Sequence, residues 1–515
     1  MAVVEQVPAK GKSSARTLLL KSPVDLKPIG EIPVQGRAEV DAVIARARQA
    51  QPAWAALSVR ERAKYLERAL DLLLERQDQL LEIFVRESGK ARMDALLIEL
   101  WDGADSLSFF SKHAEKWLAD EEVKLHGFLR FLKKATIEYR PLGVVGVISP
   151  WNGPFILSLN PTVQAMIAGN AVVIKPSEVT PMSGKVVEDL FRDAGVPEGV
   201  VQVVLGDGET GAALVEGDTD KISFTGSVRT GRLVAEACAR QLKPCTLELG
   251  GKDAMIVCAD ADIDTAAAGA VAGSLINTGQ YCSGTERVYV VREVADAFIE
   301  AVVDRTRQLR QGHTGEFDIG AVFWQRQLEI IETQVEEAVK KGAKVLVGGK
   351  RNEQLGGLFY EPTVLVDVTH DMAIMTEETF GPIVAIMVVD DEEHALQMAN
   401  DSRYGLGATI WSQNVSRARA LARRVEAGSV CINDMSMTYG ALEVPFGGRK
   451  DSGVGYVNGK AGLRGYTAPT PVIVDRYGGK YSAGRHYPYT EEGETQVRKL
   501  MNLIWGNKIS RRLLS

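Results

Sequence analysis

From Ser58 onward apolar residues recur at helical spacing, with Leu66, Ala69, Leu70, Leu73 and Leu74 falling on one face. Ser58-Val59-Arg60-Glu61 precedes them in capping-box form, a hydroxyl acceptor answered by a carboxylate three residues on. The early region is therefore predicted to be helical. From Val144 the pattern changes to short β-branched runs: Val144-Val145-Gly146-Val147-Ile148, Ala171-Val172-Val173-Ile174 and Val200-Val201-Gln202-Val203-Val204, each ended by turn residues. Near-continuous apolar runs of this kind mark parallel strands buried on both faces. Helical stretches such as Met182 to Ala194 lie between them, which predicts right-handed βαβ units in a doubly wound sheet. A second series opens after Gly250-Gly251 with Ala254–Val257, Arg287–Val291 and Ile383–Val388, so two α/β domains are predicted to meet near residue 250.

A length of 515 residues fits two or three domains, and 45% apolar with 25% charged residues is ordinary globular composition. The formal charge of −7 leaves no basic footprint for nucleic acid. Cysteines at 238, 245, 258, 282 and 431 form no Cys-x-x-Cys pair and have no histidines at metal-ligand spacing, so neither a disulfide framework nor a metal site is predicted. No run is long enough to span a bilayer and Leu18-Leu19-Leu20 is too short for a signal core, so the reading is cytoplasmic. Residues 1–17 read as a disordered tail, not a transit peptide, because Glu5 interrupts them and no amphipathic pattern is present.

Candidate chemistry centres on Glu248, in Leu247-Glu248-Leu249-Gly250-Gly251-Lys252, and Cys282, in Gly279-Gln280-Tyr281-Cys282. A thiolate attacks a carbonyl carbon at neutral pH, and a carboxylate can later take a proton from the water that releases the acyl group. A solitary Cys is more often an inert small hydrophobe, so its neighbours decide. Three further segments do so: Pro150-Trp151-Asn152, Phe224-Thr225-Gly226-Ser227-Val228-Arg229-Thr230-Gly231 and Glu377-Glu378-Thr379-Phe380-Gly381-Pro382. With Glu248 and Cys282, in this order and at these separations, the chain from about Leu18 to about Val474 resembles the NAD(P)-dependent aldehyde dehydrogenase superfamily.

The resemblance implies an α/β fold with a Rossmann-type cofactor domain (18–121 and 144–248), a catalytic domain (249–445) and a small β oligomerisation element (122–143 and 466–476), followed by an extension over 478–515. It implies a homodimer or homotetramer. Cys282 would form a thiohemiacetal and then a thioester, and Asn152 with the Cys282 backbone N–H would face the developing oxyanion. Glu248 would activate the hydrolytic water, and its apolar surroundings predict a raised pKa. The coenzyme A-acylating branch generally lacks this Glu. Gly226, Ser227 and Gly231 would frame the pyrophosphate at a helix N-terminus. Lys175 and Glu178 would hold the adenosine ribose, with Glu178 favouring NAD over NADP by repelling a 2′-phosphate. Glu378 and Phe380 would position the nicotinamide and its ribose, and Trp151 and Leu249 complete the cofactor set. Superfamily members resembling lens crystallins keep the fold without catalysis; intact Cys282, Glu248, Asn152 and Lys175 argue against that reading here.

The substrate pocket is expected to include Gly153, Leu157, Tyr281 and Tyr439. Gly153 stands where many relatives carry an aromatic residue, which predicts a wider entrance. The apolar surroundings favour a medium-chain aliphatic or aromatic aldehyde, while Glu443 leaves a cationic aminoaldehyde, and more generally a semialdehyde, as alternatives. In the extension, Gln496–Ser515 carries five basic and no acidic residues among Val497, Leu500, Met501, Leu503, Ile504, Trp505, Leu513 and Leu514. A basic amphipathic segment of this kind fits a subunit surface, an anionic membrane surface or a tunnel cap.

Overall fold

The apolar runs become two sheets whose central strands are buried along both faces. The computed structural model describes residues 5–6, 16–435, 438–480, 487–509 and 511. The first sheet has six strands in the spatial order Gly453–Val454, Cys245–Glu248, Lys221–Thr225, Val144–Ile148, Ala171–Lys175 and Val201–Val203. All its pairings are parallel except the first, where the chain returns from beyond residue 445 to cover the edge beside Glu248. Strand order reverses between Val144–Ile148 and Lys221–Thr225. In open α/β sheets the crevice beyond the strands' carboxyl ends at such a switch point receives ligands. Ser149-Pro150-Trp151-Asn152 and Gly226-Ser227 leave the sheet at that point.

The second sheet has seven strands in the order Lys344–Val347, Thr363–Val366, Ile383–Val389, Thr285–Val291, Asp253–Val257, Gly407–Trp411 and Ser429–Ile432, parallel apart from the first. Only Leu249-Gly250-Gly251-Lys252 separates the carboxyl end of Cys245–Glu248 from the amino end of Asp253–Val257. The carboxyl edge of one sheet is thus joined directly to the amino edge of the next. The segments containing Cys282 and Glu378–Phe380 enter the second sheet at that same amino edge.

Lys133–Pro141 pairs antiparallel with Thr467–Asp475 along nine residues, and Glu121–Val123 adds a third strand, as the resemblance led one to expect. The capping box at Ser58 and Glu61 is formed and opens the helix Val59–Glu75. Its buried stripe is narrower than the sequence suggested: Leu66, Ala69 and Leu73 are buried, whereas Leu74 is 51% exposed. The expectation of a disordered tail over 1–17 requires correction. Glu5–Gln6 pairs antiparallel with Leu18–Leu19, and Thr17 already belongs to a strand continuing to Lys21. Backbone pairing at a sheet edge needs no apolar periodicity, so the sequence carried no sign of it. Among the described residues, no helix is long and apolar enough to cross a membrane.

Candidate active site

Cys282 follows a backbone of unusual shape. The helix Ile263–Leu275 ends earlier than the sequence suggested, and Asn277, Thr278 and Gly279 then take successive left-handed conformations with φ of 54°, 59° and 71°. Each non-glycine residue held there costs about 1–2 kcal/mol. Gly279 is obligatory, since a Cβ would sit 1.9 Å from the Gly381 carbonyl oxygen. The turn is held by side chains. Asn277 Nδ2 donates to the Asn152 and Gln280 carbonyls at 3.0 and 2.9 Å, its backbone N–H donates to Asp94, and Gln280 Nε2 donates to the Asn277 carbonyl at 3.1 Å.

Asn152 is drawn into the same network. Its amide Nδ2 donates to the Gln280 carbonyl at 3.2 Å, committing one of its two N–H groups. Its carbonyl accepts from the Lys90 ammonium at 3.1 Å. Lys90 is fully buried and ion-paired at 2.6 Å to Glu99, which also accepts from the backbone N–H groups of Phe155 and Ile156 at 3.1 and 3.0 Å. Glu99 comes from a π-helical segment, Ala95–Trp101, a geometry that often marks functional sites. Replacing Glu99 with Ala leaves an uncompensated buried ammonium, with an expected loss of about 3–5 kcal/mol of stability, measurable by urea unfolding.

Glu248 and Cys282 open into one cavity, walled by Leu157, Pro161, Leu406, Tyr439, Phe446 and Val457, with Ser223, Thr225 and Leu249 at its base. Both Glu248 carboxyl oxygens are buried with no hydrogen-bond partner among the described residues. Burial pushes this carboxyl well above the ordinary range. Cys282 is half-buried; burial first, then the carboxyls of Asp253, Glu248 and Glu378, push its thiol up to about 12. At neutral pH the resting nucleophile is therefore the thiol.

Tyr281 packs with Leu157 and Tyr439 in one apolar cluster. The wider entrance expected at Gly153 is not found. Gly153 is buried, and a Cβ there would meet Ile156 Cγ2 and Leu157 Cδ1, each at 3.2 Å. The turn into the helix Ile156–Ile167 sends those side chains into the space an aromatic residue would need.

The remaining sequence candidates lie along the carboxyl ends of the first sheet and the junction with the second. Lys175 Nζ is 3.1 Å from the Glu178 carboxylate. Burial alone would raise the Glu178 carboxyl, but the Lys175 ammonium outweighs it and holds the group below its ordinary value. Ser227 caps the helix Val228–Arg240 by accepting from Thr230 N–H, and Gly226 immediately precedes it. Gly231 lets this helix approach Leu249, whose Cδ2 would lie 2.4 Å from a Cβ. Trp151 meets Phe380 edge-on at 5.3 Å. Glu378 accepts from Gly251 N–H at 2.9 Å, and burial, then the Glu286 charge, raise it to about 8. Phe380 itself has a φ of 52°, held by Glu286, which accepts from the Thr379 and Phe380 N–H groups and pairs with the buried Lys252.

The profile of the aldehyde dehydrogenase family matches residues 10–472. The chain belongs to that family. This aldehyde dehydrogenase is 38% identical over 490 residues to 4,4′-diapolycopene aldehyde oxidase of Methylomonas sp, covering 95% of this chain and 92% of that protein. It is 39% identical over 453 residues to a putative NADP-dependent succinate-semialdehyde dehydrogenase of Mycobacterium ulcerans, covering 87% of each. The first alignment reaches into the extension beyond residue 477, since 95% of the chain exceeds what precedes it. Among solved structures, the Mycobacterium tuberculosis aldehyde dehydrogenase complexed with NAD+ superposes with a TM-score of 0.85 at 33% identity, covering 90% of this chain and 96% of that one. An E. coli NADP-dependent enzyme superposes with a TM-score of 0.85, also at 33% identity, covering 89% and 95%. The fold of this aldehyde dehydrogenase is therefore the family's, and nicotinamide dinucleotides of both kinds occur among its relatives.

Proposed function

We propose that this aldehyde dehydrogenase oxidises a long apolar aldehyde to its carboxylic acid with NAD+, through a covalent acyl group on Cys282. The observation that carries this reading is the shared cavity of Cys282 and the unpartnered Glu248, whose other walls are apolar and include no Lys, Arg or His. Cys282 attacks the carbonyl carbon as its thiol proton departs, and the uncommitted N–H of Asn152 stabilises the oxyanion. When bound, the oxidised nicotinamide supplies the hydride acceptor. Once ionised, Glu248 takes a proton from the water that attacks the thioester, and the acid leaves. Buried without a hydrogen bond, Glu248 is poised near the pH at which it must accept that proton.

For the cofactor, Lys175 and Glu178 would hold the adenosine ribose, the capped helix at Ser227 with Gly226 and Gly231 would take the pyrophosphate, and Trp151, Leu249, Glu378 and Phe380 would receive the nicotinamide end. The depth of the Gly231–Leu249 approach supports that fit. Because Glu178 stays ionised, a ribose 2′-phosphate meets a negative charge there. Replacing Glu178 with Gln is expected to move the NAD+:NADP+ ratio of kcat/KM toward NADP+ by roughly tenfold or more, read from initial rates with each cofactor.

The substrate class follows from the walls. A substrate carboxylate finds no cation among them, and Asp102, pushed up to about 7 by burial and then by the Glu99 charge, lies within electrostatic reach of Tyr281 and Tyr439. That disfavours succinate semialdehyde, the substrate named for the Mycobacterium relative. It agrees with an aldehyde of the diapolycopene kind, named for the Methylomonas relative. Initial rates of NADH formation across decanal, a polyene aldehyde, an aminoaldehyde and succinate semialdehyde test this. Highest kcat/KM on the apolar aldehydes is expected, and preference for the semialdehyde would overturn it.

A further inference from the structure

We propose that the C-terminal helix Glu491–Trp505 binds the surface of an anionic lipid bilayer, presenting the enzyme to aldehydes dissolved in lipid. The link to lipid-borne substrate rests on the reading above, but the binding itself does not.

On this helix Leu500, Ile504, Val497, Met501 and Trp505 succeed one another around a single face, and Leu503 lies at its margin. Apart from buried Ile504, these side chains stay in solvent: Met501 is 52%, Leu503 64% and Trp505 51% exposed. Ile509, just beyond the helix, is 73% exposed. An apolar face left this open on a soluble enzyme marks a surface of contact.

The charges identify what covers it. Arg498 follows the Trp505 edge of the face and Lys499 the Leu503 edge, with Lys508 and Arg511 beyond the helix end. The acidic residues Glu491, Glu492 and Glu494 are confined to the first turn. Arg498 pairs with Glu494, whereas Lys499 and Lys508 form no ion pair with a described residue. Lysines bordering an apolar face are depleted in protein–protein contacts, whose cores exclude them. At a bilayer they reach anionic headgroups while their stems lie along the acyl boundary, and a tryptophan ring suits the same depth. The helix is too short and too charged to span the membrane, so it lies in the plane of the surface.

Flotation of the full-length protein with vesicles, without aldehyde or cofactor, tests the proposal. Binding is expected to phosphatidylglycerol-rich vesicles, much less to phosphatidylcholine alone, and to weaken as salt is raised. Lys499→Glu with Lys508→Glu is expected to weaken it roughly tenfold or more, and Leu503→Glu with Trp505→Glu to abolish it. Oxidation of a short water-soluble aldehyde should be unchanged in both variants, showing that they are folded. Absence of binding to anionic vesicles, or equal binding by the variants, would overturn the proposal. So would a changed oligomeric mass in Leu503→Glu with Trp505→Glu without lipid binding by the parent, which would make this face a subunit contact. Binding together with preference for a soluble aldehyde would leave the anchor standing and remove the substrate reading.

Discussion

Replacing Cys282 with Ala is expected to lower NAD+-dependent aldehyde oxidation to below about 10⁻⁴ of the parent rate while cofactor binding persists. No other thiol can substitute. Cys238, Cys245, Cys258 and Cys431 are absent from the walls that Cys282 shares with Glu248. The left-handed turn over Asn277–Gly279 is what brings Cys282 there, and its strain is offset by the bonds from Asn277 and Gln280. Rapid-mixing rates and NADH-release titrations separate the lost chemistry from retained binding. Turnover by this variant near the parent rate would remove the nucleophile from the mechanism.

Glu248→Gln is expected to behave differently. Acylation survives, so a burst of up to one NADH per active site appears, while steady turnover falls roughly 10²–10⁴-fold, the usual worth of a general base. The pH dependence separates the two enzymes. In the parent, Glu248 must lose its proton before it can accept one from water, and burial has raised its pKa. Turnover should therefore climb with pH through a range above that of ordinary carboxylates, and that limb should be missing in the Gln variant. A variant with the parent's steady rate and pH profile would mean that another group activates the water.

Much of the fold was legible because buried parallel strands leave continuous β-branched runs. Val144–Ile148 and Ala171–Lys175 are buried at every position and could be located from composition alone. Glu248 and Cys282 were legible because a carboxylate and a thiol stand within short motifs, and the structure places them on one cavity. Their supports were not. Lys90 reaches the Asn152 carbonyl across 62 residues and Asn277 reaches it across 125, contacts with no local signature. The lone carboxylate of Glu99 within Leu96-Leu97-Ile98-Glu99-Leu100 was a usable sign, since a buried charge requires a partner. Gly153 was misread for the converse reason: absence of a side chain does not mean space when the next helical turn fills it. The amphipathic character of the C-terminal segment was visible in the sequence, whereas the exposure of its apolar face required the structure.

The central claim, a covalent acyl group formed on Cys282 and released with the help of Glu248, is tested most directly by intact-protein mass spectrometry of Glu248→Gln quenched after mixing with NAD+ and an apolar aldehyde. The account predicts an adduct equal to the aldehyde less two hydrogens, located on the peptide containing Cys282 and absent when Cys282 is also replaced by Ala. NADH formation with no adduct on that peptide, or with the adduct on another residue, would contradict it.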